Sequence, residues 1–315
     1  MINVAIVGLG NLGKSAFEQI SGRKVEFNLV KVFSRRDYAG GFDEMINDIK
    51  NHKDKIDVVL FCGGSSDDAP VMVSEINKIG ISTIDSYDNH GQISNGIYVN
   101  KVKKAAEEAG TTAIIGAGWD PGYLSLQRVL NNAILPTGMH QTFFGGENGG
   151  LSMGHSNAVR QIVGVKNAIQ LTISRQDAIE KALLSEYVEK NARHKRVCFV
   201  VADEKDYARI ESEIRNMPDY FAGQEVVVSF ISQNEFDKKY SNFTAHSGQL
   251  ISTSDKVSFN VELKTKSNMG LTASIMIAYI KANYEMQKRK ICGVFSVADV
   301  PLSFLVDAKT HWDNI

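Results

Sequence analysis

The stretch "VAIVGLGNLGKS", residues 4–15, joins a short apolar run to three glycines and then to a helical pattern. Gly8, Gly10 and Gly13 have the G-x-G-x-x-G spacing of the turn between the first strand and first helix of a dinucleotide-binding unit. There the first glycine permits a tight turn, the second lets a pyrophosphate approach the backbone, and the third lets helix and strand pack closely. A glycine-rich turn without a ligand is the alternative, but the flanking strand and helix favour a nucleotide site. Its residues would be Gly8, Leu9, Gly10, Asn11, Leu12 and Gly13.

The same alternation of strand and helix continues through residues 1–120. Apolar, β-branched runs predict strands at residues 4–7, 29–33, 58–62, 83–84 and 112–115. Helical spacing predicts helices at residues 14–20, 42–49, 69–79 and 99–109. This order predicts an α/β fold with an N-terminal doubly wound parallel (Rossmann) sheet.

The pattern changes after Pro121. Strands are predicted at residues 141–144, 196–202, 225–231, 249–253 and 258–264, with helices at residues 175–191 and 207–216. These elements predict a second, α+β domain, residues 121–268, built on one open mixed sheet. A long amphipathic segment, residues 271–288, is expected to return to the first domain, which would then comprise residues 1–120 and about 269–315.

Size and composition exclude several classes of protein. A chain of 315 residues exceeds what one core usually serves, so two domains are expected. Its 35 Lys and Arg residues nearly balance 36 Asp and Glu residues, which argues against a nucleic-acid or anionic-membrane surface. The N-terminus lacks the basic flank of a signal peptide, and no apolar run reaches the ~18–20 residues of a membrane span. Three widely spaced cysteines fit a reducing compartment and give no metal motif, so we expect a soluble cytoplasmic protein.

The end of the second predicted strand indicates which dinucleotide is bound. An NAD site places an acidic residue there, but this chain has Ser34, Arg35 and Arg36. A hydroxyl and two guanidinium groups would pair with a 2′-phosphate, which a carboxylate would repel. A solvated basic turn is the alternative. The sequence therefore favours NADP over NAD.

Three further strand ends carry small or acidic residues, in "CGGSS" (62–66), "DSYDNH" (85–90) and "GWDPG" (118–122). Ligands of open α/β sheets bind beyond the carboxyl ends of the strands. Gly63, Gly64 and Ser65 would let a nicotinamide lie close, and Asp88 and Asp120 would face it. One aspartate at a strand end is more often a turn residue, but two on neighbouring crossovers favour contact with a cationic substrate, such as an amine that loses a hydride.

These motifs, together with "VFSRR" (32–36), resemble those of the meso-diaminopimelate dehydrogenase family. The likeness continues through "GHSNAVRQIVGVKNAIQLT" (154–172), "HKRVCFVVAD" (194–203), "RNMPDYFAGQEV" (215–226), "HSGQLISTSD" (246–255) and "NMGLTAS" (268–274), so it covers nearly the whole chain. "SYDNH" together with "GWDPG" is far more specific than the glycine spacing.

The resemblance implies a reversible, NADP-dependent oxidative deamination in lysine biosynthesis. The D-centre of meso-2,6-diaminopimelate would yield L-2-amino-6-oxopimelate (which cyclises to tetrahydrodipicolinate), ammonia and NADPH. Asp88 and Asp120 would lie at the reacting amino centre as the catalytic residues, beside Trp119. The remaining implied substrate contacts are Phe144, Met153, Gly154, Thr172, Arg196, His246 and Asn268. The implied cofactor contacts beyond the glycine and arginine motifs are Cys62, Gly63, Gly64, Ser65, Ser86, Tyr87, Asp88, Ala117, Gly118, Trp119, Asp120 and Pro121.

Within the resemblance, Thr172, Arg196, His246 and Asn268 would hold the far, L-configured end of the substrate. Arg196 is the natural carboxylate clamp, since its planar fork binds two oxygens at once. The resemblance also implies a homodimer formed through the second domain.

The chain departs from the family pattern at four positions. Phe144 stands where members usually have Trp, Met153 where they have Gln, Asn157 where they have Asp, and Gln92 where an acid often follows "YDNH". A broader NADP-dependent D-amino acid dehydrogenase is therefore the alternative enzyme. An NADP-sensing protein without turnover is the alternative from another class, although it would not need aspartates together with a carboxylate clamp.

Overall fold

The computed structural model describes residues 1–64, 68–218 and 220–306, apart from the side chain of His90. The chain divides into two compact units. The first comprises Met1–Leu126 and the chain from Met269 onward, and the second is Gln127–Asn268.

The helices and strands are numbered in chain order. The strands are β1 (Ile2–Val7), β2 (Phe27–Phe33), β3 (Val58–Phe61), β4 (Ser82–Asp85), β5 (Thr112–Ile115), β6 (Met139–Phe144), β7 (Gly150–Leu151), β8 (Asn167–Ser174), β9 (His194–Val201), β10 (Glu225–Phe230), β11 (His246–Thr253), β12 (Ser258–Thr265) and β13 (Gly293–Ser296). The helices are α1 (Asn11–Ser21), α2 (Gly41–Asn51), α3 (Ala69–Lys78), α4 (His90–Ser94), α5 (Ile97–Ala109), α6 (Tyr123–Ile134), α7 (Met153–Arg160), α8 (Gln176–Leu183), α9 (Tyr207–Asn216), α10 (Gln233–Lys239) and α11 (Asn268–Lys288).

The first unit contains a parallel sheet in the order β13-β5-β4-β3-β1-β2. Its strand residues alternate between two cores. Val4 and Ile6 of β1 pack with residues of α1 and α11, whereas Ala5 and Val7 pack with residues of α2 and α3 on the other face. Helices on both faces of a parallel sheet confirm the predicted doubly wound fold. β13 was not predicted, because it begins with a glycine and is mostly not buried, so it lacks the continuous apolar run of the other short strands.

α11 belongs to the first unit, but it is not amphipathic as predicted. Its buried residues occur on most sides of the helix: Met269, Ala273, Met276, Ile277, Tyr279, Ile280, Ala282, Asn283 and Met286. Asn283 is fully buried and donates from Nδ2 to the carbonyls of Thr83 (3.2 Å) and Thr112 (3.0 Å), at β4 and β5. The helix is therefore enclosed by the first unit rather than laid on its surface.

The second unit contains two sheets rather than the single sheet expected. One is mixed, in the order β10-β9-β8-β7, with β9 parallel to β10 and antiparallel to β8. The other is antiparallel, in the order β12-β11-β6. The prediction of a mixed sheet is confirmed. The difference is that β6, β11 and β12 form a separate sheet, in which β11 pairs along most of its length with both β6 and β12.

The predicted helix at residues 175–191 is wrong in its second half. α8 ends at Leu183, and Ser185 adopts a left-handed backbone (φ 62°). The N–H of Glu186 then bonds back to the carbonyl of Lys181 (2.9 Å), which closes the helix end. α9 matches the expected helix at residues 207–216. The elements that were not predicted are α6, β7, α7, β8 and α10.

The part of the chain that the structure describes was searched for a membrane-spanning helix and for a metal-binding cluster. No helix within it is long and apolar enough to cross a membrane. It also contains no group of three or more His, Cys, Asp or Glu side chains that could hold a metal ion.

Candidate active site

The glycine turn lies between β1 and α1, where the packing is tight. Gly8 has φ +100°, and a Cβ there would lie 2.6 Å from the carbonyl carbon of Cys62. A Cβ on Gly13 would collide with the carbonyl oxygen of Gly8. A Cβ on Gly10 would meet nothing within 4 Å, so the backbone there faces open space. Gly10 also caps the N-terminus of α1, and the first turn holds no acidic residue. This cradle fits the pyrophosphate of a dinucleotide.

The basic turn follows β2 directly. Ser34 is buried and precedes a short 3-10 turn that contains Arg35 and Arg36, both exposed. Arg35 forms an ion pair with Asp68 (Nη1 to Oδ1, 3.2 Å), and its guanidinium lies over the ring of Phe42 (5.4 Å to the centroid). A small pocket beside them is lined by Val7, Gly8, Arg35, Phe42, Met45, Phe61, Gly63 and Asp68. The turn thus presents positive charge at the carboxyl end of β2.

The loops after β3 and β4 lie side by side, because these strands are neighbours in the sheet. Cys62 is buried, and burial raises the pKa of its thiol to about 12, so it is an unreactive packing residue. Gly63 and Gly64 follow it, whereas Ser65 lies outside the described residues. Asp88 is exposed on the loop after β4, and Tyr87, beside it, is buried.

The "GWDPG" segment follows β5, the next strand along. Ala117 and Gly118 are buried, Trp119 is 9% exposed, and Asp120 and Pro121 are partly exposed. Asp120 accepts a hydrogen bond from the Ser125 hydroxyl (Oδ1, 3.0 Å), and Ser125 is in the first turn of α6. The carboxylate is therefore oriented by the helix that follows it. The two predicted catalytic aspartates lie on loops from adjacent strands of one sheet.

A second group of predicted residues meets within the other unit. Gly150, Thr172 and Arg196 are register partners across β7, β8 and β9. Arg196 donates from Nη1 to the Thr172 hydroxyl and from Nε to Gln224 Oε1 (2.8 Å). The His246 ring lies on Gly150, where a Cβ would come within 2.7 Å of Nδ1. The structure therefore brings Thr172, Arg196 and His246 together.

Among the described residues, the guanidinium of Arg196 bonds to the neutral oxygens of Thr172 and Gln224 and forms no ion pair with a carboxylate. Partial burial lowers the pKa of this guanidinium. Burial and the neighbouring Arg196 lower the pKa of His155 to about 4 and of His194 to about 3, and the pKa of His246 falls to about 4 for the same main reason. These imidazoles are neutral near pH 7, which leaves an uncompensated cation among neutral hydrogen-bonding groups.

The remaining predicted contacts are distributed around this second unit. Phe144 stacks on the ring of His194 (5.6 Å between centroids, 25° apart), and its N–H donates to His194 Nε2 (2.8 Å). Met153 and Gly154 are exposed at the start of α7. Asn268 begins α11, and its N–H donates to the carbonyl of Thr244 (2.9 Å).

Sequence reasoning missed three residues around the clamp. His155, His194 and Gln224 all lie within the quoted motifs, yet none was proposed as a site residue. His155 follows Gly154 in "GHSNA", and His194 opens the strand that carries Arg196. Their contacts join segments that are far apart in the chain, which spacing along the sequence does not reveal.

Comparison with known proteins identifies what these sites resemble. The family model for the diaminopimelic acid dehydrogenase C-terminal domain matches residues 118–270. The chain is 41% identical to the meso-diaminopimelate D-dehydrogenase of Corynebacterium glutamicum over 95% of this chain and 93% of that protein. It is 38% identical to the enzyme of the same name from Lysinibacillus sphaericus over 96% of this chain and 95% of that protein.

Solved structures agree with the sequence relatives. The C. glutamicum dehydrogenase in complex with DAP superposes with a TM-score of 0.89 at 38% identity, over 98% of this chain and 97% of that one. An engineered D-amino acid dehydrogenase bound to NADP+ superposes with a TM-score of 0.84 at 39% identity, over 97% of this chain and 96% of that one.

Proposed function

Since the chain belongs to the meso-diaminopimelate D-dehydrogenase family, we propose that it oxidatively deaminates the D-centre of meso-2,6-diaminopimelate. The products are L-2-amino-6-oxopimelate, ammonia and the reduced nicotinamide cofactor. The reaction acts on a CH–NH₂ group, runs reversibly, and serves lysine biosynthesis.

The observation that carries the substrate assignment is the uncompensated charge of Arg196. A partly buried guanidinium that has no carboxylate partner among the described residues is costly, and a substrate carboxylate removes that cost by binding in a bidentate manner. Thr172, which accepts a hydrogen bond from Arg196, and His246, which lies on the neighbouring Gly150, supply further polar groups for the amino acid end of a substrate. Only a substrate with a second amino acid group has such a carboxylate far from the reacting centre.

Asp88 and Asp120 take the reacting amino centre, with Trp119 beside them. Two carboxylates on adjacent loops attract the substrate ammonium and stabilise the iminium that forms when the hydride leaves. A bound nicotinamide cofactor would supply the acceptor for that hydride. One of the aspartates, directly or through water, receives the proton that the amine must lose first. Water then adds to the imine carbon, and ammonia departs. Phe144, Met153, Gly154 and Asn268 line the substrate cleft.

The cofactor is NADP, held by the glycine turn and the basic turn. Ser34, Arg35 and Arg36 pair with the 2′-phosphate, which NAD lacks. The N-terminus of α1 would hold the pyrophosphate, and Cys62 to Gly64, Ser86 to Asp88 and Ala117 to Pro121 would contact the nicotinamide end. The same proposal includes a homodimer formed through the second unit. Sedimentation of the purified protein tests this by measuring its mass in solution.

Enzyme assay separates this function from its alternatives. Purified protein is given NADP with meso-2,6-diaminopimelate, and NADPH absorbance and ammonia are measured together. We expect equal amounts of both products, little reaction with NAD, and weak activity on D-amino acids that lack a distal carboxylate. Comparable rates on such D-amino acids would instead identify a broad-specificity enzyme. Tight NADP binding without turnover on any amino acid would contradict the proposal and indicate a sensor.

A further inference from the structure

Asp85 is a buried carboxylate to which the proposed reaction assigns no role. It is the last residue of β4 and is 1% exposed. Among the described residues, no Lys, Arg or His pairs with it, and burial raises the pKa of its carboxyl to about 6. Buried carboxylates are retained only where hydrogen bonds satisfy them, so the partners of this one show what it holds.

The partners of Asp85 lie on both aspartate-bearing loops. Its Oδ1 accepts the N–H of Tyr87 (2.9 Å) and the N–H of Gly116 (3.2 Å). Its backbone carbonyl accepts the N–H of Ala117 (2.7 Å). Tyr87 directly precedes Asp88, and Ala117 lies three residues before Asp120. A single residue thus joins the two loops.

The position of Asp85 explains why a side chain is needed there. β4 and β5 pair only through Thr83 with Ala113 and Ile84 with Ile114. Beyond these pairs the two backbones no longer form a ladder, and the N–H of Gly116 bonds to a carboxylate instead. The loops also approach each other there, since a Cβ on Gly116 would lie 3.6 Å from the carbonyl oxygen of Tyr87.

The second carboxylate oxygen is fixed to a helix. Oδ2 accepts the hydroxyl of Tyr98 (2.7 Å), and Tyr98 is buried in α5. The Tyr98 ring stacks on Tyr87 (3.9 Å between centroids), and the Tyr87 hydroxyl donates to Gln92 (2.7 Å). The carboxylate therefore cannot rotate without loss of contacts on both sides.

We propose that Asp85 is a positioning residue that holds the Asp88 and Asp120 loops in their relative placement through hydrogen bonds. This inference rests on the proposed function, because it gives those aspartates their role. The negative charge of Asp85 is not what acts. An amide in its place keeps an oxygen for the two N–H groups and turns its NH₂ toward the Tyr98 oxygen, which can accept.

Two substitutions at this position and one control distinguish positioning from other roles. Asp85→Ala removes both oxygens, whereas Asp85→Asn keeps the hydrogen-bonding shape. Asn77→Ala is the control, since Asn77 is equally buried and its side chain bonds to Val73, Thr83 and Thr111, away from the loops. Steady-state kinetics with meso-2,6-diaminopimelate and NADP are measured at a temperature at which each variant is folded.

We expect Asp85→Ala to lower kcat about 10- to 100-fold, because misplacement of about 1 Å has effects of that size, with the KM for NADP almost unchanged. Asp85→Asn should have a kcat within about threefold of the wild-type value, because its hydrogen bonds keep the loops in place. Asn77→Ala should leave kcat unchanged. Native kcat in Asp85→Ala overturns the proposal. Equal losses in Asp85→Asn and Asp85→Ala also overturn it, because the charge would then be what matters.

Two further measurements keep the test decisive. If Asp85→Ala does not fold, Tyr98→Phe, which frees Oδ2 alone, must lower kcat without a change in the KM for NADP, and an unchanged kcat overturns the proposal. If the wild type shows no activity on meso-2,6-diaminopimelate, the proposed function fails, but hydrogen exchange still tests Asp85. The amides of Tyr87 and Gly116, which bond to the carboxylate, should then exchange faster in Asp85→Ala than in Asp85→Asn, and equal exchange overturns the inference.

Discussion

At the scale of single residues, Arg196 decides whether the substrate needs a second amino acid end. Truncation of one member of a buried charged pair costs about 2–5 kcal/mol. Arg196→Met should therefore lower kcat/KM for meso-2,6-diaminopimelate roughly 30-fold to several thousandfold. Activity on D-amino acids with apolar side chains should persist or rise, because a partly buried cation that these substrates cannot pair with is gone. The measurement is the ratio of kcat/KM for the two substrates.

The matched control is Arg175→Met in the same unit, since Arg175 is paired at the surface with Asp177 and Glu225. Its ratio should equal that of the wild type. A ratio that stays constant in Arg196→Met as well would show that Arg196 does not contact the distal carboxylate.

The aspartates give a different kinetic signature from the clamp. Asp88→Asn and Asp120→Asn keep the shape of each side chain but lose the charge that favours the iminium. By analogy with single catalytic donors, the loss is ~2–4 kcal/mol in the barrier, so kcat should fall more than NADP affinity. Steady-state kinetics and NADPH titration check this, with Asp43→Asn, an exposed residue of α2, as the control. Near-native kcat with a raised substrate KM would leave the aspartates a binding role only.

The basic turn predicts a change in cofactor preference. The double substitution Arg35→Gln and Arg36→Gln removes charge-assisted hydrogen bonds worth roughly 1.5–3 kcal/mol each. The KM for NADP should rise steeply, while that for NAD changes little. Arg23→Gln, which removes a surface pair with Glu26, serves as the control and should alter neither KM. Equal losses for both cofactors would show that the turn does not bind the 2′-phosphate.

How far sequence reasoning reaches also differs from residue to residue. Gly13 could be predicted because its role is local, against the carbonyl oxygen of Gly8. Gly8 packs against the distant Cys62, so only the known glycine spacing marked it. Thr172 and Arg196 are 24 positions apart and meet only through strand pairing, so resemblance alone suggested them. Asp85 was not singled out at all, since a buried aspartate at a strand end has the same sequence signature as a turn residue.

At the scale of elements, α11 makes a testable contribution to the first unit. Asn283→Leu keeps the branching and the number of side-chain heavy atoms but removes the donors to the Thr83 and Thr112 carbonyls. A buried acceptor left without its donor costs about 1–3 kcal/mol, so the free energy of unfolding should fall by at least that amount. Urea unfolding measures it, with Ser274→Ala, an exposed position on the same helix, as the control. A loss no larger than that of the control would mean that the carbonyls do not need Asn283.

Elements were predictable where burial leaves an uninterrupted pattern. β5 matches its predicted bounds because all four residues are buried and β-branched or small. β8 was missed because Gln170 and Thr172 break its apolar run, although both are buried. Such polar residues reflect local contacts, as when Thr172 accepts from Arg196, and these depend on the folded neighbourhood.

At the scale of the whole molecule, the neutral histidines around Arg196 make stability depend on pH. Their pKa values, about 4 for His155, 3 for His194 and 4 for His246, lie below the ~6.5 of a free histidine. The unfolded chain therefore binds more protons than the folded one between about pH 6.5 and 4, so their contribution is complete above that window and is lost as pH falls. Asp85 acts in the opposite sense, since its raised pKa of about 6 adds stability as pH falls toward its ordinary value. Three groups outweigh one.

The melting temperature should accordingly fall as pH is lowered from about 7 to about 5, as expected for buried neutral histidines that must become charged. His194→Gln isolates one contribution, because Gln can still accept the N–H of Phe144 while it has no proton to gain. The slope of melting temperature against pH should be shallower in this variant than in the wild type. His52→Gln, at a partly exposed position in the first unit, is the control and should leave the slope nearer that of the wild type. A wild-type melting temperature that is constant or rises toward pH 5 would contradict the neutral state of the cluster.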